Sequence, residues 1–139
     1  MGARPFLFVG LKMSATKQDY IARAEAYFRD VDRFETDAIL SHLTDDVVME
    51  VPTDDVRKVG MEAVRQTYDT RAKMVRESWH GDFVFTADPA EHRLAVRLAV
   101  KRTNVDGSKV EMDNLTLLTF TGDKISSVCV WMSGENSLT

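Results

Sequence analysis

The sequence predicts an α+β fold in which three N-terminal helices pack on one face of a curved, mostly antiparallel sheet. Two observations carry this expectation. Apolar residues recur at helical spacing through the first half of the chain and at strand spacing through the second. The strand-rich runs are also joined by turns too short for crossovers, Val105-Asp106-Gly107-Ser108 and Gly122-Asp123, which makes successive strands antiparallel. A chain of 139 residues, 44% hydrophobic and 29% charged, is long enough to bury one core without disulfides or metals. No linker rich in Gly, Pro or Ser divides it.

The first helix opens at Thr16, which with Asp19 forms a capping arrangement. Tyr20, Ala24, Tyr27, Val31 and Phe34 follow at spacings of four and three and form one apolar stripe. Thr36 caps a shorter second helix, Asp37 to Leu43, with Ala38, Ile39 and Leu43 inward. Thr44-Asp45-Asp46 ends it, and Val47 to Val51 is a short β-rich run stopped by Pro52. Gly60 opens a third helix, Met61 to about Val75, with Met61, Val64, Tyr68 and Val75 on one face.

Strands are expected over Ser78–Ala87, Arg93–Asn104, Lys109–Thr121 and Lys124–Met132. In the second of these, Leu94, Val96, Leu98 and Val100 oppose Ala95, Arg97, Ala99 and Lys101, the pattern of a strand buried on one face. The last two strands are apolar on both faces. Met112, Asn114, Thr116, Leu118 and Phe120 oppose Leu115 and Leu117, and Val128, Val130 and Met132 oppose Ile125, Cys129 and Trp131. That second face needs a cover, and a homodimer through the sheet is the commonest way to supply one.

Residues 1–14 are read as a leader outside the core, which leaves 15–139 as the domain. The cluster Phe6-Leu7-Phe8-Val9 is too short for a signal peptide, and Lys12 breaks the apolar character soon after it. No apolar run is long enough for a membrane helix. With 18 Lys+Arg against 22 Asp+Glu the net charge is −4, which argues against a nucleic-acid partner. Cys129 is the single cysteine, so no internal disulfide is possible and the cytoplasm is the expected compartment.

Two stretches carry a family resemblance. Thr36–Pro52, TDAILSHLTDDVVMEVP, and Phe120–Ser133, FTGDKISSVCVWMS, resemble the ketosteroid isomerase-like and SnoaL-like branches of the NTF2-like (cystatin-like) superfamily. With the long first helix and the third helix at Gly60, the similarity of order runs from Thr16 to the end. The resemblance implies a conical α+β domain around a pocket for a small hydrophobic, oxygen-bearing molecule, with no cofactor and no metal. It implies either a cyclase, isomerase or dehydratase using general acid–base catalysis, or a non-catalytic ligand-binding or dimerisation module. An ungapped match places Tyr27 where the isomerases carry their oxyanion-donating tyrosine and Val51 where they carry the Asp base. Steroid isomerisation by that route is therefore not expected.

The remaining candidates are weighed from the residues. The Tyr27 hydroxyl either reaches a ligand oxygen or meets a backbone carbonyl. His80 is a candidate acid or base, yet it alternates with Trp79, Phe83 and Phe85, which assigns it to the solvent side. Asp113 and Asn114 interrupt an apolar strand, and only one can face the pocket: Asp113 is the better acid, Asn114 the better placed. Val51, Trp131 and Met132 complete the expected pocket lining, with core or dimer packing the alternative for Trp131 and Met132. His42 and His92 are read as exposed.

Overall fold

The computed structural model describes residues 14–139, so the expected leader lies outside the described residues apart from Ser14. Helix α1 (Lys17–Asp32) starts at the Thr16–Asp19 capping box, where Thr16 Oγ1 accepts the Asp19 N–H at 3.2 Å and Asp19 Oδ2 accepts the Thr16 N–H at 2.8 Å. It buries Tyr20, Ala24, Tyr27, Phe28 and Val31. Phe34, expected to extend the stripe, instead adopts φ 57° beyond the helix end. The second helix, α2 (Thr36–Ser41), is shorter than expected because Leu43 already belongs to the first strand.

Strand β1 (Leu43–Val51) takes in the Thr44-Asp45-Asp46 segment expected to be a turn, and Pro52 ends it in a single 3-10 turn. The acidic loop then leads into an additional strand, β2 (Val56–Val59), paired antiparallel with β1. Helix α3 (Met61–Met74) follows Gly60, which sits at φ 90°. The remaining strands are β3 (Val75–Asp88), β4 (Arg93–Asn104), β5 (Lys109–Thr121) and β6 (Lys124–Trp131). All six form one open sheet in the order β2-β1-β6-β5-β4-β3, antiparallel throughout except for the parallel β1–β6 pair. Two helices precede the sheet and the third is inserted between β2 and β3, so they do not form one N-terminal run. No described helix is long and apolar enough to cross a membrane.

The concave face of the sheet and the apolar stripes of α1 and α3 share one core. Along β4 the alternation is strict: Leu94, Val96, Leu98 and Val100 are buried and Arg93, Arg97 and Lys101 exposed. Strand β3 breaks the rule. Gly81 pairs with Ala99 and Val84 with Arg97, so Asp82 and Phe83 together oppose Leu98 in a bulge, with Asp82 at φ 53°. The extra residue reverses the phase of the strand. Before it Ser78 and His80 face inward and Trp79 is exposed; after it Phe83, Phe85 and Ala87 face inward and Val84 is exposed. This corrects the expectation for His80, which assumed one unbroken alternation. The Trp79 ring lies over Gly81, where a Cβ would fall 2.1 Å from Trp79 Cζ2 and push the exposed ring aside.

Asp82 therefore occupies a left-handed position that Asp tolerates and a β-branched residue does not. In urea unfolding, Asp82→Gly is expected to match or slightly exceed wild-type stability, and Asp82→Val to lose about 1–2 kcal/mol. Equal stabilities of Asp82→Gly and Asp82→Val would contradict the assignment of the strain.

Candidate functional site

Between α1, α3 and the concave sheet lies a cavity with a free volume of about 40 Å³, room for roughly three waters in this conformation. Its wall is largely apolar, built from Phe28, Val31, Leu98, Val100, Met112 and Val130 among others. Into it project Tyr27 from α1, Tyr68 and Arg71 from α3, His80 from β3, Arg102 from β4, Asn114 and Thr116 from β5, and Ser137 from the C-terminal tail. Tyr68 and Arg71 lie three residues apart on one helix face, which is why both reach the same space.

His80 is held by Asp32, the last residue of α1. Its Nδ1 lies 2.5 Å from Asp32 Oδ1 and its backbone N–H donates to Asp32 Oδ2 at 2.8 Å. Asp32 Oδ1 also accepts from the Ser78 hydroxyl at 2.8 Å, and Ser78 in turn accepts from Arg71 Nη2 at 2.9 Å. Burial acts to raise the Asp32 carboxyl, but the His80 bonds and charge and the Ser78 hydroxyl outweigh it and hold the group below its ordinary value. Asp32 is thus ionised at neutral pH and accepts from Nδ1–H. Nε2 is left as the ring nitrogen with no protein partner among the described residues. Phe28 stacks on the imidazole with ring centroids 5.3 Å apart and restricts its rotation.

The hydroxyls of Tyr27 and Tyr68 are hydrogen-bonded to each other, both fully inside the core. Burial pushes Tyr68 up to about 12 despite the opposing effects of the Tyr27 bond and the Arg71 charge. Burial, and then Tyr68, push Tyr27 well above its ordinary value. Both phenols keep their protons, and either hydroxyl can be the donor within the pair. One O–H is used within the pair, and the other is left for a ligand oxygen. Asn114 accepts the Ser133 N–H at 3.4 Å, which leaves its amide nitrogen without a protein partner among the described residues.

No family model and no curated protein sequence matches the chain. Solved structures do. An NTF2-like protein from Burkholderia xenovorans LB400 superimposes with a TM-score of 0.70 at 16% identity, over 85% of this chain and 92% of its own. The chain has the NTF2-like fold. The BvnE pinacolase of Penicillium brevicompactum is similar at a TM-score of 0.74 and 18% identity, over 84% of each chain. SalBIII, described as an epoxide hydrolase/cyclase-like enzyme of pyran ring formation in salinomycin, matches at 0.71 and 26% identity, over 84% of this chain and 94% of its own.

Within this NTF2-like cone, the sequence candidates Tyr27, His80, Asn114 and Met132 line the cavity. Asp113 does not. Strict alternation along β5 turns it to the convex face, where Arg97 Nε and Nη2 donate to it at 3.2 and 2.7 Å and hold its carboxyl below the usual range. Val51 is buried in the core at the end of β1, away from the cavity, and Trp131 sits on the convex face opposite Leu115. His42, read as exposed, is half-buried and bonded to Asp30 at 2.7 Å. Sequence reasoning passed over Asp32, Tyr68, Arg71, Arg102 and Ser137. Tyr68 alone carried a signal, its place on the apolar stripe of α3.

The sign of the Asp32 effect is set by the direction of its shift. Its folded value lies below the ordinary 3.8, so its contribution to stability is complete above that pH and is lost as the pH falls through the lowered value. In urea melts across pH, wild type should exceed Asp32→Asn by a constant margin of about 1–3 kcal/mol near neutrality. The margin should shrink below about pH 4. A margin that grows on acidification would contradict the assignment.

Proposed function

We propose that this protein is a cofactor-independent acid–base enzyme acting on a small hydrophobic molecule that bears a carbonyl or enol oxygen. The observation that carries the reading is His80: one ring nitrogen anchored to an ionised carboxylate, the other open to a cavity that also holds a protonated tyrosine pair. His80 Nε2 takes a proton from the carbon next to the carbonyl. The Tyr68 O–H donates to the carbonyl oxygen as it gains charge, and Tyr27 donates to Tyr68. Asn114 supplies a further donor. Return of the proton elsewhere gives isomerisation, attack of the enolate on an electrophile gives cyclisation, and loss of a β-hydroxyl gives dehydration. A ring-forming enzyme and a pinacolase on the same scaffold support this class of chemistry. The lone Cys129 fits a reducing, cytoplasmic setting.

A second reading, a non-catalytic binding module, is favoured by the small free volume and by the closed network Arg71–Ser78–Asp32–His80. Deuterium exchange separates the two. In D₂O, wild type should speed α-deuteration of a small cyclic ketone above buffer, read by NMR. His80→Gln should lose about 10²–10⁴-fold of that rate and Tyr68→Phe a smaller share. A wild type inert across a ketone panel, or a fully active His80→Gln, favours the binding module.

We also propose that two copies pair through the convex face. Leu115 and Trp131, cross-strand neighbours, are 45% and 38% exposed there, beside the partly buried Leu117 and Cys129. Sedimentation should give a dimer for wild type and a folded monomer for Trp131→Glu; a monomeric wild type contradicts the pairing.

A further inference from the structure

Arg71 is 3% exposed, lines the cavity, and has only hydroxyls as hydrogen-bond partners. Nε donates to Ser137 Oγ at 3.0 Å and Nη2 to Ser78 Oγ at 2.9 Å, while the Phe34 ring lies 5.6 Å from Cζ. Among the described residues it forms no ion pair. The carboxylate linked to it, Asp32, is reached only through Ser78 and is already held by His80. A second guanidinium lines the same cavity. The Arg102 side chain is 1% exposed, and its Glu135 partner, 3.3 Å away, is 62% exposed at the rim. Burial pushes the Arg71 guanidinium below its usual value, with Arg102 adding to the effect and Tyr68, Asp32 and Tyr27 opposing it, and it stays charged.

A buried cation satisfied by hydroxyls alone leaves its desolvation largely uncompensated. A carboxylate is the group that matches a guanidinium with two parallel hydrogen bonds. The group now facing Nε is the Ser137 hydroxyl, a neutral acceptor that a carboxylate would replace with a charged one.

We infer that the ligand of this cavity carries a carboxylate that binds Arg71, beside the Tyr68 hydroxyl that receives the carbonyl oxygen. The ligand class is thus a small hydrophobic oxo-carboxylate. The inference rests on the reading of the cavity as a ligand site and adds the ligand's charge to it.

Calorimetric binding of benzoate and of benzamide, its neutral analogue of equal size, tests this in wild type, Arg71→Met and Arg71→Lys. Wild type should prefer benzoate by about tenfold or more, and the preference should weaken with added salt. Arg71→Met should erase it and Arg71→Lys retain part of it. No preference in wild type, or an undiminished preference in Arg71→Met, overturns the inference. If Arg71→Met does not fold, as judged by circular dichroism, Arg71→Gln replaces it with the same expected loss. A benzoate preference without ketone exchange would sink the acid–base reading and leave the anion site standing. Exchange without the preference would do the reverse.

Discussion

The bond between His80 and Asp32 joins the last residue of the first helix to the middle of a strand, and the site is assembled around it. Asp32 stands at the negative end of the α1 dipole, where a carboxylate is disfavoured. Three donors from β3 offset that cost: the His80 ring, the His80 backbone N–H and the Ser78 hydroxyl. They converge only because Ser78 and His80 face inward, and that depends on the bulge at Asp82–Phe83. One inserted residue sets the phase of the strand and a carboxylate locks it. The base then has a fixed direction before any ligand arrives.

The cavity combines groups that conflict in an ordinary core. Two buried guanidiniums, two phenols and an imidazole share a space walled by aliphatic side chains. Each polar group is partly satisfied by another, which keeps the apo state folded and leaves specific valences open: Nε2 of His80, one proton of the tyrosine pair and the Asn114 amide. The free volume of about 40 Å³ is too small for a ligand of more than a few atoms. Met112 and Met132 are the flexible side chains of its wall. Gly134 marks the contact between tail and wall, since a Cβ there would fall 2.9 Å from Met112 Cγ.

Much of the fold was legible in the residues. The Thr16 cap, the α1 stripe, the antiparallel turns and the strict alternation of β4 are local signals, and each appears where local physics puts it. Strand β2 was missed because four residues of alternating half-burial carry little signal until β1 supplies a partner. The site was legible only in part. Tyr27 and Asn114 follow from uninterrupted periodicity and line the cavity. His80 was assigned to the wrong face because a bulge leaves no clear local mark when the residue at positive φ is Asp, not Gly. Asp32 and Arg71 look like ordinary charged positions near helix ends. Their role comes from contacts across 48 and 66 residues of chain, which no local pattern encodes.

The central claim is that Asp32 holds the His80 imidazole with its proton on Nδ1 and a lone pair on Nε2 toward the cavity. Long-range ¹H–¹⁵N correlation spectra of the histidine rings at neutral pH report this directly, with His80→Gln identifying the resonances. The account predicts a protonated Nδ1 and an unprotonated Nε2 for His80 in wild type, and tautomeric averaging in Asp32→Asn. A wild-type His80 that carries its proton on Nε2, or averages between the two forms, would contradict it.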